Sequence, residues 1–307
     1  MEQPYIVGIG GANLDICGRC SQQPQLHDSN VGRIHLSTGG VCRNICENAV
    51  RMGCRAMLIS AVGDDANGRI LLDGCKACGL DTSCVSTIKG ARTGTYLSLH
   101  GPDGDMLTAV NDMEILSCLT PQLLERFAPV LEGAAAILID ANLPPETIQW
   151  ICGTCGGRTP IFADAVSCVK APRLRPVLGR LHTFKPNLME AQLLTGGDSA
   201  EECARRLREL GVQNVCVSAG SRGVYYSGEG EAFWARPQPI KLAANATGAG
   251  DCLMGGLLAG FVAGMSLRER VRFAVTASAL TVQSADTIRK DLSKQLIFDS
   301  IEECMIV

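Results

Sequence analysis

Aromatic side chains make up only 4% of the 307 residues, with two tryptophans and four tyrosines. A flat ligand is therefore expected to be held by hydrogen bonds more than by ring stacking. An excess of either charge is missing too: the net charge is −3, with no basic run and no stripe mixing basic and aromatic residues. That argues against nucleic acid as the main partner, because phosphate backbones need a concentrated positive surface. No segment reads as a secretory signal, since the apolar stretch Tyr5 to Ile9 is short and broken by Gly8, Gly10 and Gly11. The longest apolar run, Cys252 to Met265, is cut by Gly255, Gly256, Gly260 and Gly264. It reads as a core helix and not a membrane span, so a cytoplasmic protein is expected. Repeats, low-complexity tracts and linkers are absent as well. Residues 1–307 are thus expected to form one α/β domain, large enough at 46% hydrophobic residues to bury a full core.

Cysteine, by contrast, is abundant, with sixteen residues and three CxxC spacings at Cys17/Cys20, Cys75/Cys78 and Cys152/Cys155. Two such pairs make a zinc site when about 15–20 residues separate them, and these gaps are much longer. With no secretory signal, disulfides are not expected either. The thiols are expected to pack as small hydrophobes.

The order of elements follows from periodicity. Tyr5 to Ile9 reads as a strand, followed by a polar, glycine-dotted stretch through Ser37 in which CGRCSQQPQ reads as a loop. VCRNICENAVRMG has helical spacing, Ala56 to Val62 reads as a strand, and Ala66 to Gly79 as a helix. GTYLSLHGPDGDMLTAV is a hairpin around GPDGD. From AAAILID onward, strands and helices alternate through PETIQWIC, PIFAD, HTFKPN, NLMEAQLLTG and the helix Ala200 to Leu210. The strand VQNVCVSAG and a second hairpin, GVYYSGEGEAFWA, lead to a helix starting at Asp251. Alternation of this kind means a mostly parallel sheet with helices on both faces. The early β segments, about 16–37 and 92–112, fall outside that rhythm and are expected to form a small lid.

Several short motifs carry chemistry. GIGGANLD fails as a dinucleotide fingerprint, because its sixth position is Asn13 and no helix follows. It reads instead as a strand end presenting Asn13 and Asp15 on one face, either to ligand hydroxyls or simply to stabilise the turn. STGGVCRN puts Gly39 and Gly40 before a helix whose free amides can receive oxygen atoms, with Arg43 and Asn44 in its first turn. The bland reading is a loop with Asn44 as a cap. In KPNLMEA, Asn187 and Glu190 have the spacing of a helix capping box and equally of two groups that orient the waters around magnesium. VSAGSRGVYY is a hairpin whose Ser218, Gly220 and Gly223 can also hold phosphate or ribose. Last, NATGAGDCLMGG places Asp251 as the only charged residue between Gly248 and Met265. The small residues of that turn aim several amides, backed by the helix dipole, at one spot that suits a transferring phosphoryl group. The same field favours an ionised Asp251, able to take a proton from an attacking hydroxyl. There is no Walker loop and no protein-kinase catalytic loop to serve instead.

Taken in order, GG-x-x-x-N, N-x-x-E and TGAGD resemble the ribokinase, or PfkB, family of sugar and nucleoside kinases, over essentially the whole chain. The resemblance implies a ribokinase-like fold, ATP as co-substrate and Mg2+ as metal. It implies Asp251 as base and the backbone of Gly248, Ala249 and Gly250 as an anion hole. Asn187 and Glu190 would serve the metal, and Asn187, Ser218, Gly220, Gly223, Thr247, Gly248 and Gly250 the nucleotide. Asn13, Asp15, Gly39, Gly40, Arg43, Asn44, Asn111, Asn142 and Lys185 would serve the acceptor, and the lid would form a homodimer contact. Within the family the likeness is strongest to pseudouridine kinases, through ANLD, DSN, GGVCRN, TYLSL, NDM, DAN and HTFKPN. Cys42 stands where glycine or alanine is usual, which would narrow the turn. Asn245 and Ala246 depart from the pattern where a potassium ion would bind. A kinase for ribose, another sugar or an ordinary nucleoside remains an alternative, as does a catalytically silent binding protein. A nicotinamide oxidoreductase fits least.

Overall fold

The computed structural model describes residues 3–238 and 246–307; Asn245 lies outside them. In chain order come β1 (Tyr5–Ile9), β2 (Asn13–Cys20), β3 (Gly32–Gly39), α1 (Val41–Arg51), β4 (Arg55–Ile59), β5 (Ala61–Gly63), α2 (Ala66–Ala77), β6 (Ser86–Ile88), β7 (Thr95–His100) and β8 (Met106–Asp112). The middle of the chain holds α3 (Pro121–Glu125), α4 (Ala128–Glu132), β9 (Ala136–Asp140), α5 (Pro145–Thr154), β10 (Ile161–Asp164), β11 (Thr183–Lys185), α6 (Leu188–Thr195), α7 (Ala200–Glu209) and β12 (Asn214–Ser218). It ends with β13 (Val224–Gly228), β14 (Glu231–Pro237), α8 (Ala249–Val262), α9 (Leu267–Val282), α10 (Lys294–Asp299) and β15 (Cys304–Ile306).

The main sheet of the described residues runs in the order β15-β14-β13-β12-β11-β10-β9-β1-β4. From β4 to β12 neighbours pair parallel, and the β12–β15 side is antiparallel. Its central strands are nearly all apolar because both faces are covered. Side chains alternate between two cores: Val7, Ile9, Ile137 and Ile139 join Ile148 and Leu207 on one face. On the other, Ile6, Leu138 and Phe162 join Ile45, Leu257 and Val271.

The glycines that interrupt the apolar run of α8 have a packing cause. A Cβ on Gly255 would sit 2.9 Å from Asn48 of α1, and one on Gly256 2.6 Å from the Cα of Ala274 in α9. The helix is wedged between two others at backbone distance. Among the described residues, no helix is long and apolar enough to cross a membrane. All sixteen cysteines are free and eleven are buried. Cys42 and Cys46 both press on Gly8 of β1, and Cys42 is fully buried there. Its thiol therefore faces the core and does not narrow the turn beside it, contrary to expectation.

A second sheet has the order β3-β2-β7-β8. Residues 17–20, read from sequence as loop, belong to β2, because pairing with β3 on one side and β7 on the other overrides a weak local preference. Register separates its faces. Asp15 aligns with Ser37 and Tyr96, and Tyr96 with Asn111, so these share the polar face. Ile16 aligns with Leu36 and Leu97, and Leu97 with Val110, on the opposite, apolar face.

Candidate active site

The turn into α8 requires glycine at Gly248, where φ is 84° and a Cβ would overlap the carbonyl oxygen of Thr287. Gly248 is the helix N-cap, so the helix begins at Ala249, two residues earlier than its sequence suggested, and Asp251 lies in its first turn. The opening amides of a helix have no carbonyl behind them, and they carry its positive end. The α9 side chain of Ser278 donates to the Ala249 carbonyl at 2.8 Å and ties the turn to the helix layer.

Asp251 Oδ2 accepts a hydrogen bond from Asn44 Nδ2 at 2.9 Å, across 207 residues of sequence. Burial, then the nearby Asp164 carboxylate, push the Asp251 carboxyl up to about 7, while Asn44 and Lys185 pull the other way. A carboxyl with its pKa near neutrality, at the mouth of a helix, suits a proton acceptor.

The β1–β2 turn and the glycine pair before α1 meet beside it. Asn13 Nδ2 donates to Asp15 Oδ1 at 2.5 Å, and a side chain on Gly39 would overlap the Asp15 carboxylate. Burial raises the pKa of Asp15 against that hydrogen bond and the nearby Arg43 charge. Gly40, at φ 98°, packs against Gly11 and Ala12 so closely that no side chain fits. Asn111 is exposed, in the same row of the polar face as Asp15. Arg43 is engaged elsewhere: its guanidinium pairs with Glu47, and it donates to Thr38 O at 3.1 Å and Asn44 Oδ1 at 2.9 Å. It therefore orients the Asn44 amide, whose other end holds Asp251.

Two strand-end carboxylates were missed from sequence. Asp140, fully buried at the end of β9, accepts from Gly11 N (2.9 Å), Cys42 N (3.0 Å), Asn142 N (2.9 Å) and Asn142 Nδ2 (3.0 Å). It joins the β1–β2 turn, the start of α1 and the β9 end; burial still outweighs these bonds and raises its pKa. Asp164, at the end of β10, lies 3.0 Å from Lys185 Nζ. Burial opposes the Lys185 charge, but Asp164, with Glu190 and Asp251 further off, holds its pKa above the usual lysine value. A Cβ on Gly250 would lie 3.3 Å from Lys185 Nζ, so the ammonium stands beside the helix-mouth turn. The available signal was an apolar strand ending in aspartate, present in AILID and IFAD alike.

Beyond Lys185, Asn187 and Glu190 form a complete capping box on α6: Glu190 N donates to Asn187 Oδ1 at 2.9 Å, and Asn187 N to Glu190 Oε2 at 2.8 Å. Burial raises the Glu190 pKa. Asn187 bridges to Ser218 of the neighbouring strand, and Ser218 N donates to Pro186 O at 3.0 Å. Gly223 has φ 93° and abuts the Ala235 carbonyl, whereas Gly220 stands exposed with open space around it. Thr247 precedes the turn at Gly248. No three His, Cys, Asp or Glu residues among the described ones are arranged to hold a metal by themselves.

Comparison with known proteins identifies the family. The description "pfkB family carbohydrate kinase" matches residues 3–294. The pseudouridine kinase of Escherichia coli (strain K12) is 36% identical over 99% of this chain and 99% of its own length. The guanosine-inosine kinase of Exiguobacterium acetylicum is 24% identical over 92% of this chain and 95% of its own. The solved ribokinase of Arabidopsis thaliana, complexed with ribose and ATP, has a TM-score of 0.87 over 98% of this chain and 99% of that one. At 20% identity it shares the fold. A ribokinase-like sheet with helices on both faces, a carboxylate at a glycine-rich helix mouth and a match spanning nearly the whole chain agree: the protein belongs to the pfkB family of carbohydrate kinases.

Proposed function

We propose that this kinase uses ATP to phosphorylate the 5′-hydroxyl of pseudouridine, giving pseudouridine 5′-phosphate and ADP. The observation that carries the acceptor is the 36% identity, end to end, with a pseudouridine kinase. The hydrogen-bonding groups around Asn13, Asp15 and Asn142 support it, because a sequence poor in aromatics must read a nucleoside largely through polar contacts.

In this reading Asp15, Asn13, Asn44 and the backbone at Gly39 and Gly40 hold the ribose. Asn111 and Asn142 face the base, and Arg43 acts through Asn44. Asp251 takes the proton of the attacking hydroxyl on the oxygen that Asn44 leaves open. The amides of Gly248, Ala249 and Gly250, with Lys185 alongside, receive the charge on the transferring phosphoryl group. Asn187, Ser218, Gly220, Gly223 and Thr247 contact the nucleotide. Asn187 and Glu190 would hold Mg2+ through water, and the ion would neutralise phosphate charge.

The four-stranded sheet acts as a lid whose polar face covers the acceptor and whose apolar face meets a second copy of the chain. Ile34, Leu36, Leu97, Leu99 and Val110 of that outer face are 37–73% exposed and share one face of the sheet, as the residues of an interaction surface do.

Measuring ADP release with pseudouridine, uridine, inosine and ribose tests the acceptor. Pseudouridine keeps a ring NH that uridine lacks, and a buried acceptor left unpaired costs on the order of 1–3 kcal/mol. Pseudouridine should therefore exceed uridine in kcat/KM by at least about tenfold. Equal rates, or a preference for free ribose, would refute the assignment.

A further inference from the structure

We propose that Lys170 is a specificity-determining contact of the acceptor site: held by Asn142, its ammonium donates a hydrogen bond to a carbonyl oxygen of the acceptor's heterocyclic base. The proposal rests on the reading of the protein as a nucleoside kinase.

Lys170 Nζ donates to Asn142 Oδ1 at 2.6 Å. The same amide donates through Nδ2 to Asp140, so both ends of Asn142 are fixed and its orientation follows from chemistry. The backbone under Asn142 is pinned as well, because Arg173 Nη1 donates to the carbonyls of Ala141, Asn142 and Leu143 at 3.1, 3.3 and 3.3 Å. An ammonium has three donors. Among the described residues the Lys170 ammonium makes this one hydrogen bond and no ion pair, which leaves two N–H groups uncommitted on a half-buried side chain. Burial, with Arg173 nearby, lowers its pKa against the pull of Asp140, so desolvation of this ammonium is only partly compensated.

The loop that delivers Lys170 is strained. Val166 has φ 64°, a conformation that a β-branched residue rarely adopts, and Ser167 N donates across it to Ala165 O at 2.7 Å. Asp164 Oδ1 accepts from Val166 N at 2.8 Å and anchors the turn. The carbonyl of Ser167 then receives the amides of Lys170 and Ala171 at 3.0 and 2.8 Å. Backbone strain of this kind persists where the surroundings enforce a particular placement, and here it brings Lys170 over the carboxyl end of β9.

The position relative to the chemistry selects the base over the ribose. Asp140 is felt electrostatically by both Asp251 and Lys170, and Asn142 lies between Asp140 and Lys170. Asn44 bonds Asp251 directly, whereas Lys170 joins the site through Asn142 and, beyond it, Asp140. That is where the part of a nucleoside remote from its 5′-hydroxyl falls. A carbonyl oxygen is the complement of an N–H donor, and uracil-type rings carry two.

Calorimetric binding of pseudouridine and of ribose to wild type, Lys170→Met and Lys170→Gln tests the assignment, alongside KM for ATP. Both variants should bind pseudouridine at least about tenfold more weakly, as expected for loss of a charged donor. Ribose affinity should stay within about twofold and KM for ATP unchanged. Gln keeps an amide donor for Asn142 in a neutral side chain, so the same selective loss in both variants excludes a folding defect. Pseudouridine affinity restored by Gln, which still holds Asn142, would make Lys170 a strut for Asn142 and overturn the proposal, as would equal weakening for both acceptors or no change for either. If the wild type binds ribose but no nucleoside, the proposed function itself has failed.

Discussion

Asp251 is held by a few contacts whose effects oppose one another. Asn44 and Lys185 favour its charge, while burial and the carboxylates of Asp164 and Asp140 oppose it, leaving the pKa at about 7. As the base it must be ionised, so kcat/KM should fall about tenfold per pH unit below that value. Asp251→Asn should lose roughly 10²–10⁴ in turnover and still bind ATP. Near-normal turnover in that variant would remove the residue from the mechanism. The stability effect has the opposite sense. The folded-state pKa lies above the unfolded value of 3.8, so the folded protein favours the protonated carboxyl. That stabilisation is complete below about pH 4 and is lost as the pH rises through 7. Asn cannot ionise, so Asp251→Asn should raise the melting temperature relative to wild type, more at pH 8 than at pH 5. An identical difference at both values would show that Asp251 is not buried as charge.

At the scale of elements, the Asn187–Glu190 pair of α6 has one role in the structure, the helix cap, and a second that we propose, at the metal. The Asn187–Glu190 capping box is complete, which satisfies the structural reading of N-x-x-E. Only Oε2 of Glu190 is used by the cap among the described residues, so its other oxygen stays available to an ion's waters. Glu190→Gln retains an oxygen that can accept from Asn187 N. The expected outcome is a melting temperature within about 2 °C of wild type and a clearly raised Mg2+ requirement, read from activity over a magnesium titration. A lower melting temperature with magnesium dependence untouched would leave capping as the whole role. The α8 turn is simpler: at Gly248 both φ and the Thr287 carbonyl exclude any side chain, which explains the glycine without reference to a ligand.

On the scale of the whole molecule, the four-stranded sheet has one polar and one apolar face, and Ile34, Leu36, Leu97, Leu99 and Val110 of the apolar face stand exposed. Leu97→Lys places a charge amid the apolar rows without touching the Asp15 face. Light scattering should show a dimer for wild type and a predominantly monomeric variant; a monomeric wild type would refute pairing through this face. What sequence alone determined follows from local physics. Alternating apolar segments dictated the layered sheet, and ATGAGD marked a helix mouth, because glycine freedom, free amides and a lone carboxylate are all local properties. The extent of β2 was misread for the same reason, since strand pairing is not local. Which groups meet was decided only by the tertiary structure. Asn44 reaches Asp251 across 207 residues, and Asp140 gathers amides from Gly11 and Cys42, 129 and 98 residues away. Arg43, adjacent to Asn44, turns to Glu47 one helical turn on and not into the cleft. A side chain's partner depends on which strand ends the parallel sheet brings side by side, and no spacing along the chain encodes that order.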